Sequence, residues 1–376
     1  MADSQDIQTL QKGLGSDAAR IVRSSPLSRA MRRPELGAFS GVILIYLFFF
    51  IKAGDSGMYS LKGLVDIFKL SADIGILAVA AALLMIAGEF DLSMGSMIGF
   101  AGIVIGLSAT TFHLPLWLAI TLAFVICAGL GALNGILTVK TGLPSFIVTL
   151  ASMLILRGET ISETRLLNGY TTISKITAAD PDSFVVWLFG GEVGHDFFLW
   201  LASHHYIDAN AKGVPSVTGI PMSIIWWIGL TAVATWVLLR TPFGNWIFAV
   251  GGDQNAARNV GVPVARVKII LFALTACAAV LFAAVQIMQI GTTDTLRGTQ
   301  KEFDAIIAAV IGGTLLTGGY GSAVGAMFGA LIYGTVQAGI LYMRVDADRF
   351  KVFLGLMVLI AVLFNNYVRR RATIAK

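Results

Sequence analysis

The chain has 376 residues, of which 56% are hydrophobic and 13% charged, with 41 glycines and a formal net charge of +5. Apolar runs of bilayer-crossing length recur through it and hold glycine inside them, which excludes a soluble domain and suits close helix packing in lipid. The basic residues flank these runs instead of forming a surface of their own, so no nucleic-acid partner is expected.

Lys and Arg gather in the N-terminal tail (Arg20, Arg23, Arg29, Arg32, Arg33), in a central loop (Arg240, Arg258, Arg266, Lys268) and at Arg369, Arg370 and Arg371. The positive-inside rule puts all three in the cytoplasm. Residues 1–36 therefore read as a basic cytoplasmic tail, 37–370 as a transmembrane domain in a lipid bilayer, and 371–376 as a second short tail. The first apolar run, behind a long polar tail, reads as a retained anchor. Cys127 and Cys277 lie inside apolar segments and read as core residues.

In chain order, a first span covers 37–53. Lys52, Asp55, Lys62 and Lys69 then mark a short outside segment, and a second span covers 72–88. Gly88-Glu89-Phe90-Asp91-Leu92-Ser93-Met94-Gly95-Ser96 follows. A carboxylate at the centre of a lipid-facing helix costs about 2.5–3.5 kcal/mol. Glu89 and Asp91 must therefore sit at an interface, in a protected interior or at a helix break. Asp91, with Ser93 beside it, can cap the next helix; the same residues are candidates for gating. Spans three and four cover 94–112 and 115–139, and Asn134 is placed to bond across helices. A fifth segment, 143–157, is short and reads as tilted or partly re-entrant.

Residues 158–220 form an acidic extracytoplasmic insertion in which 184–189 and 197–201 read as a hairpin lying in the interface. His195, His204 and His205 match no standard metal-ligand spacing. The sixth span, 222–239, ends at Arg240. The loop 240–268 then holds a short helix with both ends written in its sequence. Asp253 can accept from the free N–H groups of Asn255 and Ala256, Gly261 can take the left-handed position, and Pro263 stops continuation. About two turns of helix are marginal alone in water. The segment reads either as a capped surface turn or as a docking element for a soluble partner. Spans at 267–290, 303–316, 322–343 and 352–368 return the C-terminus to the cytoplasm. The fold class is an all-α polytopic membrane protein of about ten transmembrane helices. Glu89-Phe90-Asp91 is echoed by Glu302-Phe303-Asp304, and Asn134-Gly135-Ile136-Leu137 by Ala338-Gly339-Ile340-Leu341. The echoes suggest two inverted halves, spans two to five and seven to ten.

The 88–96 stretch, Asn134-Gly135, Pro144-Ser145-Phe146-Ile147-Val148-Thr149-Leu150 with Arg157-Gly158, Thr241-Pro242-Phe243-Gly244, the run from Ala249 to Arg258 with Gly261, and Phe303-Asp304-Ala305-Ile306 with Ile311-Gly312-Gly313-Thr314 occur in that order. Together they resemble the permease subunit of ATP-binding-cassette importers for monosaccharides, the ribose/xylose/galactose type. Phe90 and Asp253 depart from that pattern. The resemblance implies a second permease copy, giving a homodimer, and a separate cytoplasmic ATPase that binds ATP and Mg. It also implies an extracytoplasmic sugar-binding protein and a place in the bacterial inner membrane. Asp253, Gln254, Asn255, Ala256, Ala257, Arg258, Asn259, Val260 and Gly261 match the segment that meets the ATPase. Glu89, Asp91, Ser93, Asn134, Phe146, Glu302 and Asp304 are the candidates for translocation or gating. The chain has no Gly-Lys dipeptide and hence no P-loop, and neither H-E-x-x-H nor G-x-S-x-G, so no catalysis and no cofactor of its own are expected. The alternative is a secondary transporter coupled to an ion gradient, which Glu89, Asp91 and Asp304 keep open.

Overall fold

The apolar runs become helices, some started by side-chain caps at Ser60, Thr241, Asp253 and Ser322 and some ended by left-handed glycines at Gly142, Gly169 and Gly291. The computed structural model describes residues 34–374 except 179, 182, 210–214 and 347; the basic tail 1–33 lies outside the described residues. In order come α1 (Pro34–Ala53), α2 (Leu61–Ile86), α3 (Met94–Thr110), α4 (Leu116–Thr141) and α5 (Ser145–Asn168). The segment after α5 holds α6 (Phe184–Gly190) and α7 (His195–Ser203), and α8 (Met222–Arg240), α9 (Pro242–Gly252) and α10 (Gln254–Asn259) follow. The last four are α11 (Val264–Ile290), α12 (Lys301–Ile311), α13 (Ala323–Tyr342) and α14 (Asp348–Ile374). Two antiparallel ribbons complete the list: β1 (Thr172–Ile173) with β4 (Thr293–Asp294), and β2 (Glu192–Val193) with β3 (Ile220–Pro221). Among the described residues, seven helical stretches are long and apolar enough to cross a membrane, those of α1, α2, α4, α5, α8, α11 and α13.

The centre of the bundle is α2, whose residues from Ile74 to Ile86 are all buried. It packs against α8, α11, α12 and α13. Small residues let these helices close up, as packing in lipid requires. Gly75 of α2 receives the indole of Trp227, and Gly334 of α13 lies on Ser71. A Cβ on Gly135 of α4 would come within 2.7 Å of the Ile269 backbone of α11. The packing also repeats under one exchange of partners. The contact of α2 with α13 has its counterpart in that of α11 with α4. In the same way α2 with α12 matches α11 with α3, and α3 with α5 matches α12 with α14. The short sequence echoes are not counterparts, however. Gly135 packs on α11 but Gly339 on Phe49 of α1, and Asp91 precedes its helix while Asp304 lies within α12.

Three expected boundaries are corrected. The second span begins before 72, because Lys62 and Lys69 already lie in α2, which starts at Leu61 under a Ser60 cap. The fifth segment is not short: α5 has 24 residues and runs on through Arg157-Gly158 to Asn168. Its last turns bury Thr160 and Thr164, whose hydroxyls return to the helix's own carbonyls, and expose Glu159 and Glu163. The non-helical stretch after α5 therefore starts at Gly169, not at 158. The stretch 184–189 is also tied to the bundle. Trp226 of α8 donates to the Leu188 carbonyl at 2.9 Å and stacks on Phe189, and Gly190 abuts Met288 of α11. Further out, His195 and His204 each set Nδ1 against a backbone carbonyl, of Thr218 and Trp200.

The largest departure is the eighth span, since α12 has only 11 residues. The rest of the passage is made by non-helical backbone descending along α3. Thr293, Thr295 and Gly298 lie against Gly102, Gly99 and Gly95, which share one face of α3 with Gly106. A Cβ at Gly99 would be 2.8 Å from the Thr295 carbonyl oxygen, and one at Gly95 would be 2.6 Å from that of Gly298. From Gly95 to Gly106 the stripe rises about 16 Å, half the thickness of a hydrocarbon core. Irregular backbone at such depth survives only when protein covers it. Gly298 and Gln300, both at positive φ, then turn the chain into α12.

Gly99→Ala should lower the thermal unfolding midpoint in detergent by an amount equivalent to about 1–3 kcal/mol, the usual cost of overpacking. Gly129→Ala, on α4 with nothing within 4 Å of an added Cβ, should leave it unchanged or slightly higher.

Candidate functional site

The site is built where α2 stops. Gly88, at φ +83°, turns the chain out of the helix, and four residues pass before Ser93 starts the next one. The helix end is satisfied by a distant turn: the N–H of Gly319 donates to the Ile86 carbonyl at 2.8 Å. Gly251 of α9 abuts that same carbonyl and Gly318 lies on Gly88, so three glycine-bearing segments close around the foot of α2.

The break itself has N–H groups to place. Phe90 donates to Ser145 Oγ and Leu92 to Thr149 Oγ1, each at 3.1 Å. Ser145 and Thr149 are four residues apart and share one face of α5. The Glu-Phe-Asp-Leu stretch and the Pro-Ser-Phe-Ile-Val-Thr stretch are thus two halves of one hydrogen-bonded unit. Asp91 is 5% exposed and fully engaged. Its Oδ1 accepts from the N–H of Ser93 at 2.9 Å and from the Ser93 hydroxyl at 2.5 Å, and Oδ2 accepts from Thr275 of α11 at 2.6 Å. Asn134 of α4 donates to Ser93 Oγ at 3.1 Å. Asp91 is accordingly not the cap residue itself. Ser93 holds the cap position without a side-chain cap bond, and Asp91 takes its N–H from outside the helix.

Glu89 forms a buried ion pair with Lys268 of α11. Lys268 Nζ also donates to Gln254 Oε1 of α10 at 2.7 Å. Removing one partner of such a pair strands a charge, at a typical cost of about 3–5 kcal/mol. The short helix α10 is formed as its sequence requires. Asp253 Oδ1 accepts from the N–H groups of Asn255 and Ala256 at 2.9 Å each, and Gly261 takes φ +87°. Ala257 is buried beneath it, whereas Asn255, Ala256, Arg258, Asn259 and Gly261 are exposed. Val260 is 80% exposed, an apolar side chain standing clear of the fold.

Glu89, Asp91, Ser93 and Asn134 are therefore brought together, and Glu302 joins them from the first turn of α12. It lines one small pocket with Glu89, Phe90, Asp91 and Met94, and its carboxylate lies against Gly95. Glu302 is 2% exposed, and its Oε2 has no hydrogen-bond partner among the described residues. Two candidates are not part of this group. Phe146 is 50% exposed on α5, and Asp304 pairs with Lys301 at 3.0 Å.

Residues 63–362 match the family described as branched-chain amino acid transport system / permease component, a stretch that holds every group above. The chain belongs to this permease family. Among its relatives, the xylose transport system permease protein XylH of Escherichia coli (strain K12) is 31% identical over 93% of this chain and 100% of its own length. The ribose import permease protein RbsC of the same strain is 28% identical, over 86% of this chain and 92% of its own. The probable ABC transporter permease protein YphD, also of that strain, is 30% identical over 91% and 92%. No solved structure matches the chain.

Within the permease, four supporting residues lie outside the candidate set drawn from the sequence: Lys268, Thr275, Ser145 and Thr149. Lys268 counted there only as one basic charge of a loop. Its position in the second turn of an apolar helix was the usable signal, because a cation there needs a partner.

Thr149→Val keeps the shape of the side chain and leaves the Leu92 N–H without its acceptor. It should cost about 1–3 kcal/mol, read as a lower unfolding midpoint in detergent. Thr121→Val, whose exposed hydroxyl bonds only its own helix, should cost little.

Proposed function

We propose that the permease is the membrane-spanning subunit of an ATP-binding-cassette importer and carries a monosaccharide of the pentose or hexose class. The relatives named for xylose and ribose align over most of the chain, which favours a sugar over the amino acids named in the family description. The observation that carries the reading is α10. It is a pre-formed helix of 6 residues, seated by Ala257 and presenting Asn255, Arg258 and Val260 outward. A separate ATPase, holding ATP and Mg, docks there from the cytoplasm. A second permease copy completes the path as a homodimer, and an extracytoplasmic binding protein delivers the sugar. Both termini face the cytoplasm of a bacterium, and the bilayer is its inner membrane. The repeating helix contacts support two inverted halves, α2 to α5 and α11 to α14. The ATPase drives transport by binding inward- and outward-facing states unequally.

A second reading, transport driven by an ion gradient, draws on Glu302, a buried carboxylate with one oxygen unpartnered among the described residues. Uptake that stops on ATP depletion and persists with an uncoupler separates the two, in favour of the first.

Val260→Asp should leave the amount of permease in the membrane unchanged, release the ATPase on co-purification and cut sugar uptake at least tenfold. Wild-type uptake with the ATPase retained would refute the docking role of α10.

A further inference from the structure

Lys268 reaches two partners on two different elements. Its Nζ pairs with Glu89 in the break below α2 and donates to Gln254 Oε1 in the first turn of α10. Lys268 and Glu89 are 6% and 9% exposed, and Gln254 is half-buried. The link therefore runs from the surface helix into the sheltered foot of the central helix.

We infer that Gln254, Lys268 and Glu89 form a strut that carries a displacement of α10 to the break between α2 and α3, with Lys268 as its positioning residue. The inference rests on the docking role proposed for α10 and adds the route by which docking reaches the bundle. The pair is sheltered from water and salt, where charge attraction is strong and little screened. It cannot separate without leaving a charge in apolar surroundings. A shift of α10 must then either drag Glu89 with it or pull Gln254 off Lys268.

Beyond Glu89 the connection continues through hydrogen bonds already in place. Phe90 is held by Ser145 and Leu92 by Thr149 of α5, while Asp91 is held by Thr275 of α11. Ser93 is bonded to Asn134 of α4. Movement of the break is thus felt by α4, α5 and α11 together. A purely stabilising ion pair would make the protein less stable when removed, but would leave the sugar moved per ATP unchanged.

The test reconstitutes the permease in liposomes with its ATPase and binding protein, using labelled xylose or ribose, whichever the wild type moves. Sugar imported per ATP hydrolysed is the readout. Glu89→Gln with Lys268→Met removes both charges and leaves none stranded. Gln254→Leu severs the strut at its surface end without touching the buried pair, and decides the matter if the double variant does not fold. Each should lower the ratio at least tenfold, the double variant with the ATPase still bound. Ratios within twofold of wild type, with Val260→Asp still shedding the ATPase, would overturn the strut alone. If Val260→Asp keeps the ATPase and the wild-type ratio, the docking reading falls and the strut's function falls with it.

Discussion

A helix that ends inside a membrane protein leaves backbone groups that no water can reach. That constraint organises the foot of α2 and, through it, much of the bundle. Each unpaired group in hydrocarbon costs several kcal/mol, so the break is possible only because remote segments arrive with partners. Gly319 supplies a donor to Ile86, Ser145 and Thr149 supply acceptors to Phe90 and Leu92, and Asp91 gathers donors from Ser93 and Thr275. A polar interruption that looks local in sequence is held by three other parts of the chain.

The same constraint is met differently between α11 and α12. There the chain gives up helix for about half a crossing, and α3 accommodates it with a stripe of glycines instead of a set of hydroxyls. Side-chain oxygens satisfy the first break, and close backbone approach covers the second. The two devices meet at Gly95, where the first turn of α3 touches both Gly298 and Glu302. The ends of two helices and two irregular segments thus share one small volume. A bundle whose helices were all continuous would have no comparable place at which to bend.

What sequence could reveal followed the range of the forces involved. The cap at Asp253 and the left-handed Gly261 were legible because every atom involved lies within eight residues. The spans were legible from hydropathy, except where hydropathy is blind to backbone shape. The apolar run 303–316 says nothing about whether it is helical throughout, and the glycines of α3 that accommodate the non-helical backbone before it lie on a helix far back in the chain. The wet end of α5 was misread because Arg157 and Glu159 resemble a loop when their helical partners Thr160 and Thr164 are not considered. The acids Glu89 and Asp91 announced that they needed shelter, but their partners Lys268 and Thr275 lie on another helix. Spacing along one chain carries no information about which helix will be adjacent.

The break also bears on how cargo could pass. Its carboxylates are turned toward protein: Asp91 is occupied by hydroxyls and an N–H, and Glu89 is occupied by Lys268. Groups satisfied in this way have little hydrogen-bonding capacity left to offer a sugar. Glu302 beside them is the exception, since one of its oxygens has no partner among the described residues. Glu89 and Asp91 are thus engaged in holding α11 and the start of α3 against the foot of α2.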